Sequence, residues 1–302
     1  MNLTPLFHPN SIALIGASNT PGKLGNYLAK NLVESNYGGK LYFLNPKKEQ
    51  ILGINCLQSP LEITENIDLW VVAIPANLVL EVVEQIIVSK NKINNTGETF
   101  LVVISAGFRE IGEVGKQLEQ ELLKLCQKNN IKIIGPNCLG IINNTLDSKF
   151  NYNASFAVQP KISGGVSFIS QSGAIISGIV DQCQSCGIGF NKIISTGNQL
   201  DLDTTDLLEF LITDPQTKVI AIYVEGFNHG KKFVELAKKS SKPIIVLKSG
   251  NSSIASKAIS SHTGSIAGNS QVTRSYLKDA GCILVESLQE FFDMILFSSH
   301  WQ

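Results

Sequence analysis

Short apolar runs alternate with segments of helical periodicity along the first half of this 302-residue chain. Such runs predict buried strands, because a parallel strand covered on both faces is apolar throughout. Strands are predicted at 11–16, 40–44, 68–75, 99–104 and 131–140, and helices at 26–33, 76–89 and 115–128. Alternating β and α units predict a parallel sheet with helices on both faces, whose ligands bind beyond the carboxyl ends of the strands.

The second half repeats this alternation. Strands are predicted at 165–169, 192–195, 219–224, 243–248 and 282–285, and helices begin near 174, 204, 231, 271 and 288. The stretch from 143 to 163 is polar, rich in asparagine and poorly periodic, which favours a connection between two domains. We therefore predict an α/β chain with a Rossmann-like domain at 1–145, a connection at 146–159 and a flavodoxin-like domain at 160–302.

A glycine-rich turn follows the first predicted strand and precedes a helix. Backbone N–H groups and the positive helix end suit a phosphate at such a turn. The glycines stand at 16, 22 and 25, however, so the loop is longer than GxGxxG and is only a weak indication of a dinucleotide. After the second strand, Lys47 and Lys48 replace the acid usual in an NAD site. Two cations suit a ligand with an additional phosphate, such as coenzyme A or NADP, but they are equally typical of a solvated turn.

Three chemical features fall at the carboxyl ends of strands in the second half: Ser170-Gln171-Ser172-Gly173, Glu225 and a loop of small residues around His262. A carboxylate can fix one imidazole tautomer and leave the other nitrogen nucleophilic, and a helix N-terminus can hold a phosphoryl group. Taken singly, the three features also fit a helix cap, a surface carboxylate and a polar loop. Strand ends of one sheet share a rim, so we expect the three features to converge there.

The composition argues against several classes of function, among them nucleic-acid binding and membrane insertion. Lys+Arg and Asp+Glu both number 25, and arginine occurs only at positions 109 and 274, so no basic field indicates nucleic acid. No apolar run approaches the length of a membrane span, and the first residues lack a signal-peptide pattern. The six scattered cysteines include one CxxC pair, Cys183 and Cys186, without the partners that a zinc site needs. We expect no metal site, packing of the CxxC pair on a helix face, reduced cysteines and a cytoplasmic protein.

Six motifs in order resemble the α subunit of the nucleoside-diphosphate-forming acyl-CoA synthetases, a family that includes succinyl-CoA synthetase. The nearer likeness is to the ADP-forming acetyl-CoA synthetase branch, and it covers nearly the whole chain. The motifs are Leu14-Ile15-Gly16-Ala17-Ser18, Gly135-Pro136-Asn137-Cys138-Leu139-Gly140, Ser170-Gln171-Ser172-Gly173-Ala174, Ser195-Thr196-Gly197-Asn198, Tyr223-Val224-Glu225-Gly226 and Ser261-His262-Thr263-Gly264-Ser265.

The resemblance implies a CoA-binding domain followed by a succinyl-CoA-synthetase-type domain that carries a phosphohistidine. It implies His262 and Glu225 as catalytic residues, a phosphoryl site at Ser170–Gly173 and an acyl site at Pro136 and Asn137. It also implies contacts to coenzyme A from a wider set: Gly16, Ser18, Gly22, Lys23, Gly25, Lys47, Pro75 and Ser105. In the implied reaction, acyl-CoA, phosphate and ADP give the carboxylate, CoA and ATP.

Enzymes of this family carry an ATP-grasp module, which binds the ADP or ATP with Mg²⁺, and no segment of this sequence resembles one. We therefore expect an ATP-grasp β subunit or domain in trans and a chain that is incomplete as a catalyst. The alternative is a regulatory module that binds CoA or acyl-CoA without turnover. An NADP-dependent dehydrogenase is a more distant alternative, because it depends on the sheet pattern of the first half alone.

Overall fold

The computed structural model describes residues 2–95, 97–249 and 270–300. Within these ranges, no helix is both long enough and apolar enough to cross a membrane. The chain builds two sheets in sequence, with a small hairpin of strands β3 (Gln50–Ile51) and β4 (Ile54–Asn55) beside the first. The predicted α/β class with a Rossmann-like and then a flavodoxin-like half is confirmed.

The first sheet has five parallel strands in the order β2-β1-β5-β6-β7. These strands are β1 (Ser11–Ile15), β2 (Lys40–Leu44), β5 (Leu69–Val72), β6 (Thr99–Val103) and β7 (Ile131–Ile134). A short helix α1 (Thr4–Phe7) precedes them, and α2 (Leu24–Glu34), α3 (Val79–Lys92) and α4 (Glu113–Lys128) are the intervening helices. Every residue of β1, β5 and β6 is buried, as the continuous apolar runs predict for central strands.

The second sheet has the order β14-β13-β12-β10-β11-β8-β9. Its strands are β8 (Gly140–Asn143), β9 (Tyr152–Ser155), β10 (Ser163–Ser170), β11 (Phe190–Ser195), β12 (Val219–Val224), β13 (Ile244–Lys248) and β14 (Ile283–Val285). Its helices are α5 (Gly173–Ser185), α6 (Thr204–Thr213), α7 (Gly230–Ala237), α8 (Ser270–Asp279) and α9 (Leu288–His300). The pairs from β14 to β11 are parallel, whereas β8 and β9 are antiparallel additions at one edge.

The structure corrects the prediction that 146–159 is a connection between two domains. Strand β9 lies inside 146–159, and β8 lies inside the range predicted for the first domain, yet both belong to the second sheet. Their asparagines are buried and bonded rather than solvated. Asn143 Nδ2 donates to Phe7 O and Phe150 O, each at 2.7 Å, and Asn153 Oδ1 accepts from Ser155 Oγ at 2.6 Å. A polar composition therefore hid two strands whose asparagine side chains make hydrogen bonds inside the protein, although Asn143 Oδ1 is buried without a partner.

The two sheets share a continuous core. One cluster of buried apolar residues runs from Leu14 and Val71 of the first sheet to Ile194 and Ile222 of the second. Cys183 packs in the core on α5, and Cys186 just beyond that helix is exposed; the cysteines of the described ranges are free. Because the sheets are packed together, their carboxyl edges keep a fixed relation to each other.

Candidate functional site

The glycine-rich turn after β1 is held tightly at both ends. Gly16 has φ +93° and donates its N–H to Leu44 O at 3.1 Å. A Cβ on Gly25 would lie 1.8 Å from Gly16 O, so the first turn of α2 packs directly against the strand end. Only glycine permits this approach and this backbone conformation. The spacing of the glycines thus brings the N-terminus of α2 to the carboxyl edge of the first sheet.

The loop between these glycines is organised by amide side chains. Asn26 Nδ2 donates to Ser18 O at 3.0 Å, and Asn45 Nδ2 donates to Ala17 O at 2.7 Å. Lys23 is the N-cap of α2 in an extended conformation and makes no capping bond with its side chain; no acid stands in the first turn. The helix therefore begins with N–H groups and a nearby ammonium, which favours an anion. Asn45 was not singled out from the sequence.

The remaining residues predicted to contact CoA lie at the same edge in different settings. Gly22 is exposed with φ +82°, and Lys47 follows β2 with its ammonium 3.9 Å from Glu49 Oε1 and its side chain 79% exposed. Pro75 is exposed after β5. Ser105, in contrast, is buried, and its hydroxyl exchanges hydrogen bonds with the backbone of Ile74. That hydroxyl therefore joins the ends of β5 and β6.

Pro136 and Asn137 follow β7 at the boundary between the two halves. The Gly135–Pro136 peptide bond is cis, and Asn137 has φ +56° and donates its N–H to Ser105 O at 2.9 Å. The loop after β11 wraps over them. Gly197 has φ +51°, and a Cβ there would lie 2.3 Å from Pro136 O, so this loop also depends on glycine.

A cluster of polar side chains crosses this boundary, and we call it the seam. Its members are Arg109, Glu110, Asn137 and Asn198; sequence reasoning singled out Asn137 but not Arg109 and Glu110. Asn198 Nδ2 donates to Glu110 Oε2 at 2.8 Å, and Arg109 donates to Asn198 O. Burial favours the neutral form of Glu110, but the hydrogen bonds from Asn198, Gly107 and Phe108 outweigh it and hold its pKa below the ordinary value. Arg109 also lies 3.6 Å from the buried Glu119, whose pKa is raised by burial.

The rim of the second sheet brings two of its three predicted features together. Gln171 Oε1 accepts hydrogen bonds from the backbone N–H groups of Glu225 and Gly226, the latter at 3.1 Å. Gln171 therefore links the ends of β10 and β12 and places Glu225 beside the start of α5. Ser172 is the N-cap of α5, yet its side chain makes no capping bond. The first N–H groups of α5 consequently face this rim without that side-chain cap.

Neighbouring groups complete this rim. Ser170 Oγ donates to Ser172 O at 2.7 Å and accepts from Ser172 N at 3.1 Å, which shapes the turn before α5. Gly173 lies where a Cβ would be 3.1 Å from Leu139 Cβ. Lys248, at the end of β13, was not predicted; burial lowers its pKa and Glu225 acts in the opposite direction. His262 lies outside the described residues, so its place relative to Glu225 stays a prediction.

Both halves of the chain match known domain families. Residues 10–144 match a CoA binding domain, and residues 163–297 match a succinyl-CoA ligase like flavodoxin domain. The chain is 42% identical over 293 residues to acetate–CoA ligase (ADP-forming) I of Archaeoglobus fulgidus. It is 41% identical over 290 residues to acetate–CoA ligase (ADP-forming) II subunit alpha of Pyrococcus furiosus.

The chain is a homologue of the α parts of the ADP-forming acetyl-CoA synthetases. A solved structure agrees: the dinucleotide forming acetyl-coenzyme A synthetase 1 of Ca. Korarchaeum cryptofilum, in complex with phosphate and ADP, superposes with a TM-score of 0.90 and 35% identity. That match covers 99% of this chain and 62% of the other. The alignments cover 96% and 95% of this chain but only 41% of the Archaeoglobus relative and 61% of the Pyrococcus subunit. The resemblance inferred from the six motifs is thereby confirmed.

Proposed function

We propose that this ADP-forming synthetase homologue is the CoA-binding, phosphohistidine-bearing part of an ADP-forming acyl-CoA synthetase. The observation that carries the proposal is the rim where Gln171 fixes Glu225 beside the N-terminus of α5. A glutamate held at the start of a helix whose N-cap side chain makes no capping bond suits a histidine that carries a phosphoryl group, since the carboxylate can orient the ring and the helix N–H groups can stabilise the negative charge. The names of the relatives support the ligase chemistry.

The proposed reaction has three steps. A phosphate oxygen attacks the thioester carbonyl, the C–S bond breaks, and CoA leaves with the proton. A ring nitrogen of His262 then attacks the phosphorus of the acyl phosphate, and the P–O bond to the acyl group breaks to release the carboxylate. A terminal oxygen of ADP finally attacks the phosphohistidine, whose P–N bond breaks to form ATP. Glu225 orients His262, and Ser170 to Gly173 hold the phosphoryl group.

We assign CoA to the carboxyl edge of the first sheet. Gly16, Ser18, Gly22, Lys23 and Gly25 would surround its phosphates, because the turn and the start of α2 supply N–H groups and an ammonium there. Lys47 would contact the nucleotide end, and Pro75 and the backbone of Ser105 would border the pantetheine chain. Pro136 and Asn137 would lie at the thioester, where the two sheets meet.

An ATP-grasp subunit or domain in trans is part of the proposal, with Mg²⁺ arriving with the nucleotide. The incomplete coverage of the relatives supports an additional part, since this chain spans 41% of the Archaeoglobus protein. The Korarchaeum synthetase was solved as a complex with phosphate and ADP, which supports these two molecules as the other reactants.

Phosphorylation of His262 tests the catalytic assignment. After incubation with a ³²P-labelled acyl phosphate, we expect an acid-labile label on the full chain that His262→Ala abolishes. Glu225→Gln should slow labelling by about 10²-fold or more, since losing the carboxylate that fixes the tautomer of a catalytic histidine costs at least that order. His300→Ala, at an exposed histidine, is the matched control and should label normally. Label that persists in His262→Ala would exclude this residue as the carrier.

CoA binding tests the first half independently. We expect calorimetry to detect CoA binding, and Lys47→Ala to weaken it a few-fold with a strong salt dependence, because an exposed ion pair contributes about 0–1 kcal/mol. Lys116→Ala is the control, at a lysine on α4 that is also exposed. CoA binding without any labelling would favour the regulatory module, and binding of NADP but not CoA would favour the dehydrogenase.

A further inference from the structure

Asn198 uses all four of its polar groups at the seam. Its N–H donates to Pro136 O at 2.9 Å, and its carbonyl accepts from Arg109. Its side-chain nitrogen donates to Glu110 Oε2 at 2.8 Å, and its side-chain oxygen accepts from Asn137 Nδ2 at 3.4 Å. The residue is 2% exposed. A single buried side chain therefore links a carboxylate on one side with the predicted acyl-site amide on the other.

The carboxylate fixes the direction of this chain of bonds. An ionised carboxylate only accepts hydrogen bonds, so Asn198 must turn its nitrogen towards Glu110 and its oxygen towards Asn137. Asn137 must in turn direct its side-chain nitrogen Nδ2 towards Asn198. The side-chain oxygen Oδ1 of Asn137 therefore points away from Asn198. The pKa of Glu110 agrees, since despite burial the hydrogen bonds keep it below the ordinary value.

We propose that Asn198 is a positioning residue, which together with Glu110 sets which atom of Asn137 faces the acyl group. This inference rests on the proposed function, because it takes Pro136 and Asn137 as the acyl site. Its physical basis is that an amide offers a donor at one end and an acceptor at the other, so a reversed amide presents the wrong partner to a ligand. The separation of 88 residues between Glu110 and Asn198 makes the pairing a property of the joined sheets.

Glu110→Gln should reverse the chain of bonds without removing it. Glu110 Oε1 is held by the N–H groups of Gly107 at 2.6 Å and Phe108 at 3.1 Å, so a glutamine oxygen would stay there. The new NH₂ group would then face the NH₂ group of Asn198, so we expect the Asn198 amide to turn over and the Asn137 amide to follow. Because every bond can re-form, we expect little change in thermal stability but a reversed Asn137.

The experiment measures affinity for CoA and for a panel of short acyl-CoA thioesters by calorimetry on the full chain. The preference is the ratio of the affinity for a thioester to the affinity for CoA. For the thioester with the highest ratio in wild type, Glu110→Gln should reduce this ratio about 5- to 10-fold, as expected for one hydrogen bond, and leave the CoA affinity unchanged. Adding Asn198→Asp to Glu110→Gln should restore the preference, because the new carboxylate accepts from both the glutamine and Asn137. Glu113→Gln, at an exposed glutamate three positions away, is the control.

The outcomes separate the inference from the function on which it rests. A preference unchanged in Glu110→Gln, or not restored in the double variant, would overturn the positioning role. So would parallel losses of stability and of affinity for both ligands, because these indicate a merely structural contact. Equal wild-type affinity for CoA and every thioester would also overturn it while leaving the CoA site intact. Wild type that binds no CoA would instead contradict the proposed function.

Discussion

Among the contacts between the two halves of the chain, two are built differently. The seam consists of hydrogen bonds from the buried Asn198 to Glu110, Arg109 and Asn137. The other contact, which we call the anchor, consists of Phe7, Tyr152, Lys192, Phe210 and Asp214. There the Phe7 and Phe210 rings stack with centroids 4.6 Å apart, and Lys192 Nζ lies 2.7 Å from Asp214 Oδ2 and 5.6 Å from the Phe7 ring centroid.

This difference indicates that the anchor contributes to the stability of the fold and the seam to the orientation of the side chains at the predicted acyl site. The anchor buries aromatic rings and an ion pair whose side chains are 0% and 5% exposed, and Tyr152 Oη donates to Leu6 O at 2.6 Å. Burial alone favours neutral Asp214, but Lys192 and Thr217 hold its pKa below the ordinary value. The seam, in contrast, consists of polar side chains whose hydrogen bonds fix the direction of each amide. We therefore expect changes in the anchor to alter the free energy of unfolding, and changes in the seam to alter ligand preference.

Removing the cation of the anchor should have the largest effect. Lys192→Met leaves Asp214 buried without its ion-pair partner, which typically costs about 3–5 kcal/mol of unfolding free energy. Urea denaturation followed by circular dichroism measures this cost. Lys116→Met, at an exposed lysine, should change stability by no more than about 0.5 kcal/mol. A loss below about 1 kcal/mol in Lys192→Met would contradict the importance given to the ion pair.

A methyl group at Gly197 should break the seam at its backbone. Gly197→Ala places a Cβ 2.3 Å from Pro136 O at a residue with φ +51°. Gly53→Ala is the matched control, because Gly53 has φ +83° and nothing within 4 Å of the added Cβ. Both variants bear the backbone strain, so the excess loss at Gly197 reports the steric overlap and should be about 1–3 kcal/mol. Equal losses in the two variants would mean that the loop moves freely.

Acidification should destabilise the protein through His8, which lies beside the anchor and senses the charges of Lys192 and Asp214. Burial and then Lys192 lower the pKa of His8 from its ordinary value of 6.5, against smaller opposing effects of Asp214 and Asp147. The unfolded chain thus binds a proton more readily than the native one, so this stabilisation is present above pH 6.5 and is lost as the pH falls through the native pKa. Comparing urea unfolding at about pH 5.5 and 7.5, we expect His8→Gln to lose less stability than wild type on acidification. His300→Gln should keep the wild-type difference, and an unchanged difference in His8→Gln would refute the linkage.

The pattern of apolar positions predicted much of the fold. Runs such as 99–104 became fully buried strands, and the glycines at 16 and 25 placed a helix start on a strand end. The same pattern missed β8 and β9, because Asn143 and Asn153 are polar and a hydropathy reading assigns polar residues to solvent. Whether such a residue is buried depends on partners such as Phe7, which lies 136 positions from Asn143.

The sequence by itself determined the two α/β halves, their family resemblance and the strand ends at which the predicted catalytic and binding residues lie. These follow from local periodicity, from turns that require glycine and from motifs in a fixed order. Only the tertiary structure decided that Gln171 accepts a hydrogen bond from the backbone of Glu225, that the hydroxyl of Ser105 bonds the backbone of Ile74, and that Asn198 contacts Glu110 and Asn137. The physical reason is that a hydrogen bond depends on distances of about 3 Å between atoms that the sequence separates by tens of residues, and these distances are set by strand pairing within each sheet and by packing of the two sheets.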